Sequence, residues 1–132
     1  MIVGHKGLVA KSADGSAWTL GSSGITTNLD SVAWSGARLV AVGSQGVVLT
    51  STDAMTWQSV ESGVTESLGS VSWARNRFVA AGSSATLIAS ADGVSWSEPP
   101  LPEKTYGSFD GAAQSANLLV VVGEKGRILA LP

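Results

Sequence analysis

Short apolar runs alternate with Gly-, Ser- and Asp-containing turns along the whole chain, and the pattern repeats at a nearly fixed spacing. Five tryptophans form two series with a 39-residue step: Trp18, Trp57 and Trp96, and Trp34 and Trp73. Gly4, Gly43 and Gly82 keep this step, and Gly123 follows 41 residues later. A period of about 40 residues indicates a repeat architecture.

Each repeat contains four apolar runs, which predict four strands, A to D. Strand A is predicted at Leu29–Ser35 and Leu68–Ala74. The other strands are predicted as follows: B at Ile2–Val3, Leu39–Val42, Phe78–Ala81 and Leu118–Val122; C at Leu8–Lys11, Val47–Thr50, Thr86–Ala89 and Arg127–Ala130; D from Trp18, Trp57 and Trp96 onwards. Strand B is apolar throughout, which predicts that both of its faces are covered. No segment keeps a 3.6-residue period, so no helix is predicted.

Four-stranded units of this length predict an all-β fold, a β-propeller built from antiparallel blades of about 39 residues. The chain is predicted to be one repeat domain and a partial propeller: an incomplete blade at 1–20, blades at 29–60 and 68–98, and an incomplete blade at 107–131. The connection from Glu98 to Tyr106 carries three prolines, so it is not predicted to be a central strand.

Composition narrows the class of protein. The chain of 132 residues is 44% hydrophobic and 14% charged, which argues against disorder. A net charge of −2 without a basic face argues against nucleic acid as a partner. No apolar run is long enough to span a membrane, and residues 1–12 do not resemble a signal peptide. The lack of cysteine excludes disulfides and thiolate metal sites, and the cellular compartment stays open.

Three Ser-x-Asp segments between strands C and D occur in phase: 12–18, 51–57 and 90–96, here called the Asp turns. Asp carboxylates in tight turns accept hydrogen bonds from the N–H groups that follow. Asp14, Asp53 and Asp92 are therefore predicted to hold these hairpins while the next tryptophan enters the core. The predicted structural residues are Ser12, Asp14, Trp18, Ser51, Asp53, Trp57, Ser90, Asp92 and Trp96.

These segments, read as SADGSAW, STDAMTW and SADGVSW, resemble the Asp-box (BNR-type) repeat of sialidases and of non-enzymatic bacterial propellers. The resemblance covers nearly the whole chain and implies a propeller whose Asp turns lie opposite the functional face. Two features depart from the family pattern. The spacing from Asp to Trp is one residue shorter than usual, and Ala54 replaces glycine in the second turn.

The sequence does not show a complete set of catalytic residues. A sialidase-like site needs an arginine cluster, a tyrosine nucleophile and acidic partners. Arg38, Arg75 and Arg77 instead fall at turns between strands A and B, and Tyr106 and His5 are each the single residue of their type. The sequence therefore predicts a protein that is not an enzyme, with no cofactor and no metal. The alternative is a remnant of a sialidase-like glycoside hydrolase.

The loops joining strands B to C and D to A are the predicted binding face. They carry the candidate ligand-binding residues His5, Lys6, Gln45, Lys104, Tyr106, Glu124 and Lys125, whose alternative interpretation is a solvated rim. The leading functional hypothesis is a scaffolding or protein-interaction module. The alternative is a glycan-binding, lectin-like propeller, in which Lys104 and Tyr106 contact a sugar.

The strands run BCD, ABCD, ABCD and ABC, so an open row would leave sheet faces uncovered. We therefore expect a homodimer in which two chains close one ring of about eight blades. A four-bladed monomer and a fragment of a longer propeller are the alternatives.

Overall fold

A computed structural model describes residues 1–101 and 107–132 of the chain, and these residues form four antiparallel sheets. Sheet 1 contains β1 (Ile2–Val3), β2 (Val9–Lys11) and β3 (Thr19–Leu20). Sheet 2 contains β4 (Leu29–Trp34), β5 (Leu39–Gly43), β6 (Val48–Ser51) and β7 (Gln58–Val60). Sheet 3 contains β8 (Leu68–Ala74), β9 (Arg77–Gly82) and β10 (Leu87–Ser90), and sheet 4 contains β11 (Phe109–Gln114), β12 (Leu119–Gly123) and β13 (Arg127–Leu131).

Every sheet is a simple meander, in which strands that follow one another along the chain are paired. The all-β prediction is confirmed, and the predicted A, B and C strands are present with bounds that differ by about one residue; the strand D predicted from Trp96 onwards is not formed as a strand. The described residues include no helix whose length and hydropathy would let it cross a membrane.

The turns between strands B and C are single 3-10 turns in sheets 1, 2 and 4, at His5–Gly7, Ser44–Gly46 and Glu124–Gly126. The residue after the glycine that ends strand B donates its N–H to the carbonyl that precedes strand A. Ser44 thus bonds Asn28, and Ser83 bonds Ser67, both at 3.0 Å. A Cβ on Gly43 or Gly82 would overlap that carbonyl oxygen, which explains glycine at these positions. The contact fixes the hairpin against the start of its own sheet.

Strand D is short in sheets 1 and 2, where it forms β3 and β7, and is nearly absent from sheet 3. There, Ser97 and Ala89 form a single bridge pair with N–H···O distances of 2.8 and 3.0 Å. Pro99 and Pro100 follow and carry no N–H group, so the pairing cannot continue as it does in β7.

Three apolar clusters lie between consecutive sheets, and we call these contacts the junctions. In the first, Val9 of sheet 1 packs among residues of sheet 2 that include Leu49 and Trp57. The second joins sheets 2 and 3, and the third joins sheets 3 and 4. Strands β5 and β9 are buried on both faces, as their composition predicts. Strand β12 has the same composition, but its burial is mixed along its length.

Hydrogen bonds also join neighbouring A strands at equivalent positions. Ser31 accepts the N–H of Val71 at 3.1 Å, and Ser70 accepts the N–H of Ala112 at 3.3 Å. The A strands β4, β8 and β11 therefore lie side by side in chain order.

Candidate functional site

The Asp turns share one hydrogen-bond pattern. Oδ1 of Asp53 accepts the N–H groups of Met55 and Thr56, each at 2.8 Å, and the hydroxyl of Ser51 at 3.0 Å. Asp14 and Asp92 accept the corresponding three bonds in sheets 1 and 3. The carboxylate thus replaces the backbone acceptors that a tight turn lacks.

The same bonds set the charge state of these carboxylates. The N–H groups of Thr56 and Met55 lower the pKa of Asp53 to about 2. The pKa of Asp14 is lowered mainly by the N–H of Ser16, and that of Asp92 mainly by the N–H of Ser95. Near neutral pH, all three groups are ionised acceptors rather than proton donors, so their chemistry suits a structural role.

The tryptophans that end the Asp turns differ in solvent exposure. Trp57 is 7% exposed and packs in the junction with Val9, whereas Trp18 is 44% exposed. The indole N–H groups of Trp18 and Trp96 bond the carbonyls of Gly15 and Gly93, at 3.2 and 3.3 Å. The buried N–H of Trp57 has no hydrogen-bond partner among the described residues. The burial of Trp57 depends on the sheet that precedes it.

Asp turns 2 and 3 each contact the preceding sheet. The N–H of Ser22, just beyond β3, donates a hydrogen bond to the carbonyl of Met55 at 2.9 Å. The ammonium group of Lys11 donates a hydrogen bond to the carbonyl of Asp53 at 3.2 Å. Gly93 lies so close to Val40 and Arg38 of sheet 2 that a Cβ would meet their side chains at about 3 Å. These turns therefore belong to the junctions.

The predicted ligand-binding residues occupy one kind of turn on three different sheets. His5 and Lys6 lie in the B–C turn of sheet 1, Gln45 in that of sheet 2, and Glu124 and Lys125 in that of sheet 4; all are exposed. Their backbone makes structural bonds; for example, the N–H of Lys6 bonds Oδ1 of Asn28 at 3.0 Å. Lys104 and Tyr106 lie outside the described residues.

Two of the candidate catalytic arginines, Arg38 and Arg77, make local contacts. Arg38 donates to the hydroxyl of Thr50 at 3.1 Å, and Arg77 donates to Oε1 of Gln114 at 3.5 Å. In the part of the chain that the structure describes, no three His, Asp or Glu side chains are grouped so that they could hold a metal ion. Arg38 and Arg77 thus bond to different neighbouring strands and do not point to one shared site.

A polar cleft of about 280 Å³ lies beside Asp turn 2. It is lined by Arg38, Thr50, Ser51, Thr52, Asp53, Thr56 and Gln58. A second cleft, of about 480 Å³, is lined by the corresponding residues of sheet 1, including Lys11 and Asp14. Sequence reasoning missed these clefts. In the sequence, the feature that could have indicated them is the pair of polar residues Thr19 and Gln58. These residues are 39 positions apart, and each follows an Asp turn.

The outward faces of sheets 1 and 4 carry exposed apolar side chains. On sheet 1, Ile2 is 43% exposed and lies on the same face as Leu20. On sheet 4, Ile128 is 70% exposed and is paired with Val122, which is 43% exposed. The sequence predicted uncovered faces in an open row, but it did not assign the residues that form them.

No protein-family model matches this chain, and a search of curated proteins returns no match.

Proposed function

We propose that this chain is a non-enzymatic β-propeller module of the Asp-box type, which acts by binding protein through the outward faces of its terminal sheets. One observation carries the proposal. Val122 and Ile128 are exposed to solvent, although the corresponding residues of sheets 2 and 3 are buried in junctions. Contiguous apolar surface of this kind marks interaction sites in soluble proteins.

The propeller assignment is supported by the repetition of contacts as well as of sequence. Successive A strands are joined by equivalent serine hydrogen bonds, from Ser31 to Val71 and from Ser70 to Ala112. Each junction is built from the same sequence positions of its two sheets. A constant relation between successive sheets generates a rotation about one axis, as in propeller blades.

The non-enzymatic assignment is supported by the bonds that candidate side chains already make. Arg38 and Arg77 bond neighbouring strands, and the three Asp turn carboxylates accept the N–H groups of their own turns. An acid–base pair requires groups that face a shared cleft and differ in protonation state. The three carboxylates lie on three separate sheets.

Two measurements test this proposal. A crystal structure should give equal rotations from sheet 2 to sheet 3 and from sheet 3 to sheet 4, about 45° if eight blades complete a ring. Unequal rotations, or sheets stacked without a common axis, would contradict the propeller. Incubation with a panel of fluorogenic sialosides and other glycosides should give no turnover above that of buffer. Turnover that is lost when Tyr106 is replaced by Phe would contradict the non-enzymatic assignment.

A second candidate function, carbohydrate binding, is favoured by the polar cleft beside Asp turn 2. Its guanidinium, hydroxyl and amide groups match the donors and acceptors of a sugar ring. A glycan array should then give binding that Arg38→Ala abolishes and Arg75→Ala leaves unchanged, because Arg75 lies in an exposed turn that does not line this cleft. Binding to no glycan would exclude this candidate.

A further inference from the structure

Every junction in the chain pairs the same two kinds of face. The leading face of a sheet packs on the sheet before it, and the trailing face packs on the sheet after it. In the junction of sheets 2 and 3, the trailing face supplies Val40, Val42 and Val48, and the leading face supplies Phe78, Ala80, Ile88 and Trp96. In the junction of sheets 3 and 4, the corresponding positions supply Val79, Ala81 and Leu87 on one side and Leu119, Val121 and Leu129 on the other.

The trailing face of sheet 4 has the residue types of a junction, but no sheet follows it among the described residues. Its residues Val120, Val122 and Ile128 correspond to Val79, Ala81 and Leu87 of sheet 3. Leu87 is 3% exposed, whereas Ile128 is 70% exposed. The residue types are equally apolar, so the difference in exposure comes from the missing neighbour. Leu118, also exposed, extends this apolar face.

The leading face of sheet 1 is the matching surface. Ile2 corresponds to Ala41 and Ala80, which are fully buried in junctions, and Trp18 corresponds to Trp57. Ile2 and Trp18 are each more than 40% exposed. Among the described residues, sheet 1 has no strand A, and its larger Ile2 side chain lies where sheets 2 and 3 carry alanine and sheet 4 carries valine.

We propose that the partner of this module is a second copy of the same chain. The leading face of each copy docks on the trailing face of the other, and two copies close one ring of eight sheets. This inference rests on the proposed function, and it names the protein that the end faces bind. The contact reproduces, between copies, the junctions that already join the sheets within one copy.

Each of the two contacts joins two different faces, and a two-fold axis relates one contact to the other in a closed pair. Such contacts make closed rings when the rotation between subunits closes. Four sheets in each copy give eight in two, within the usual range of four to eight propeller blades. One copy has not closed on itself, because both of its end faces are open to solvent.

Lysine substitutions on the two faces test the arrangement. Ile2→Lys disables the leading face and Ile128→Lys disables the trailing face, with Val122→Lys as a second trailing-face variant. These side chains are exposed in the single chain, so far-UV circular dichroism should remain that of the wild type. Val94→Lys is the matched control. Val94 lies in Asp turn 3, outside both faces, and is as exposed as Val122.

Sedimentation at about 10 μM chain, a concentration that populates complexes of ordinary affinity, should give a two-copy species for the wild type and Val94→Lys. Each face variant alone should sediment as one copy, because loss of a central apolar anchor weakens such contacts at least about 30-fold. An equimolar mixture of Ile2→Lys and Ile128→Lys at about 100 μM should again form a two-copy species. That mixture keeps one intact junction, between the trailing face of the first variant and the leading face of the second.

Three results would overturn the inference: a wild-type chain that sediments as one copy, a face variant that remains paired on its own, or a mixture that stays at one copy. A variant that pairs on its own would indicate a contact between identical faces. None of these results contradicts the proposed function, as long as the rotation between successive sheets is constant and glycosides are not hydrolysed. Unequal rotations or turnover would instead contradict the proposed function, whatever the mass.

Discussion

The side chains of the Asp turns show how a single residue determines local structure in this chain. One carboxylate oxygen of Asp53 accepts three hydrogen bonds, two of them from backbone N–H groups that would otherwise lack an acceptor. The chemistry of Asp in tight turns predicts these bonds from sequence. That the indole N–H of Trp57 has no hydrogen-bond partner among the described residues is not predictable in this way, because it depends on the packing around Ala54 and the preceding sheet.

The pKa of Asp53 leads to a prediction about acid stability. Because folding lowers this pKa from 3.8 to about 2, the ionised carboxylate stabilises the folded state above pH 4. This contribution declines as the pH falls from about 4 to about 2. Asp53→Asn should therefore melt below the wild type at pH 6, and the difference in Tm should shrink towards pH 2. Thermal melts of Asp30→Asn provide the control, because Asp30 is an exposed residue of β4 outside the turns. A difference in Tm that stays constant with pH would contradict this assignment.

A pair of glycine substitutions tests whether Asp turn 3 is part of a junction. Gly15 and Gly93 have φ values of 79° and 77°, so alanine at either position carries the same left-handed strain. No described atom lies within 4 Å of a Cβ at Gly15, whereas a Cβ at Gly93 would press on Val40, Arg38 and Phe78. Gly15→Ala should lower the free energy of unfolding by about 1 kcal/mol. Gly93→Ala should lower it by about 2–4 kcal/mol. Equal losses in urea denaturation would contradict the contact with sheet 2.

At the scale of the strand, the period of the sequence is enough to locate most elements. Apolar runs that end at glycine predicted β5 and β9 to within one residue at each end, because both the turns and the buried strands constrain composition. The more alternating pattern of Leu68–Ala74 predicted the bounds of β8. The third strand D was less predictable. It was predicted to begin at Trp96, but its one bridge pair forms at Ser97, and Pro99 prevents further pairing.

The end of strand B provides a test at this scale. A Cβ on Gly82 would overlap the carbonyl oxygen of Ser67, so Gly82→Ala must displace the hydrogen bond from Ser83 and the start of β8. The free energy of unfolding should fall by about 3 kcal/mol or more. Gly69→Ala is the matched control in β8 itself, since no atom of the described residues lies within 4 Å of its Cβ; it should change stability by less than about 0.5 kcal/mol. Equal stability of the two variants in urea titration would contradict the close approach of strands.

At the scale of the whole molecule, burial depends on neighbours more than on residue type. Val48 is 1% exposed in sheet 2, and Ile128, at the same position of sheet 4, is 70% exposed. Sequence alone predicts that both are apolar and lie in strands. It does not predict which sheet lacks a neighbour until strands are counted along the chain, and it does not locate the polar clefts beside the Asp turns. The predicted binding residues in the B–C turns share a kind of turn, but they lie on separate sheets.

The repeated junction is the central claim, because it relates the period of the sequence to the packing of the sheets and to the proposed partner. Light scattering coupled to size-exclusion chromatography tests it most directly on the unmodified chain. At about 10 μM chain, in the range where specific protein pairs associate, a ring closed by two copies should have twice the 13.3 kDa mass of one chain. A mass of 13.3 kDa at that concentration and at tenfold higher concentration would contradict it.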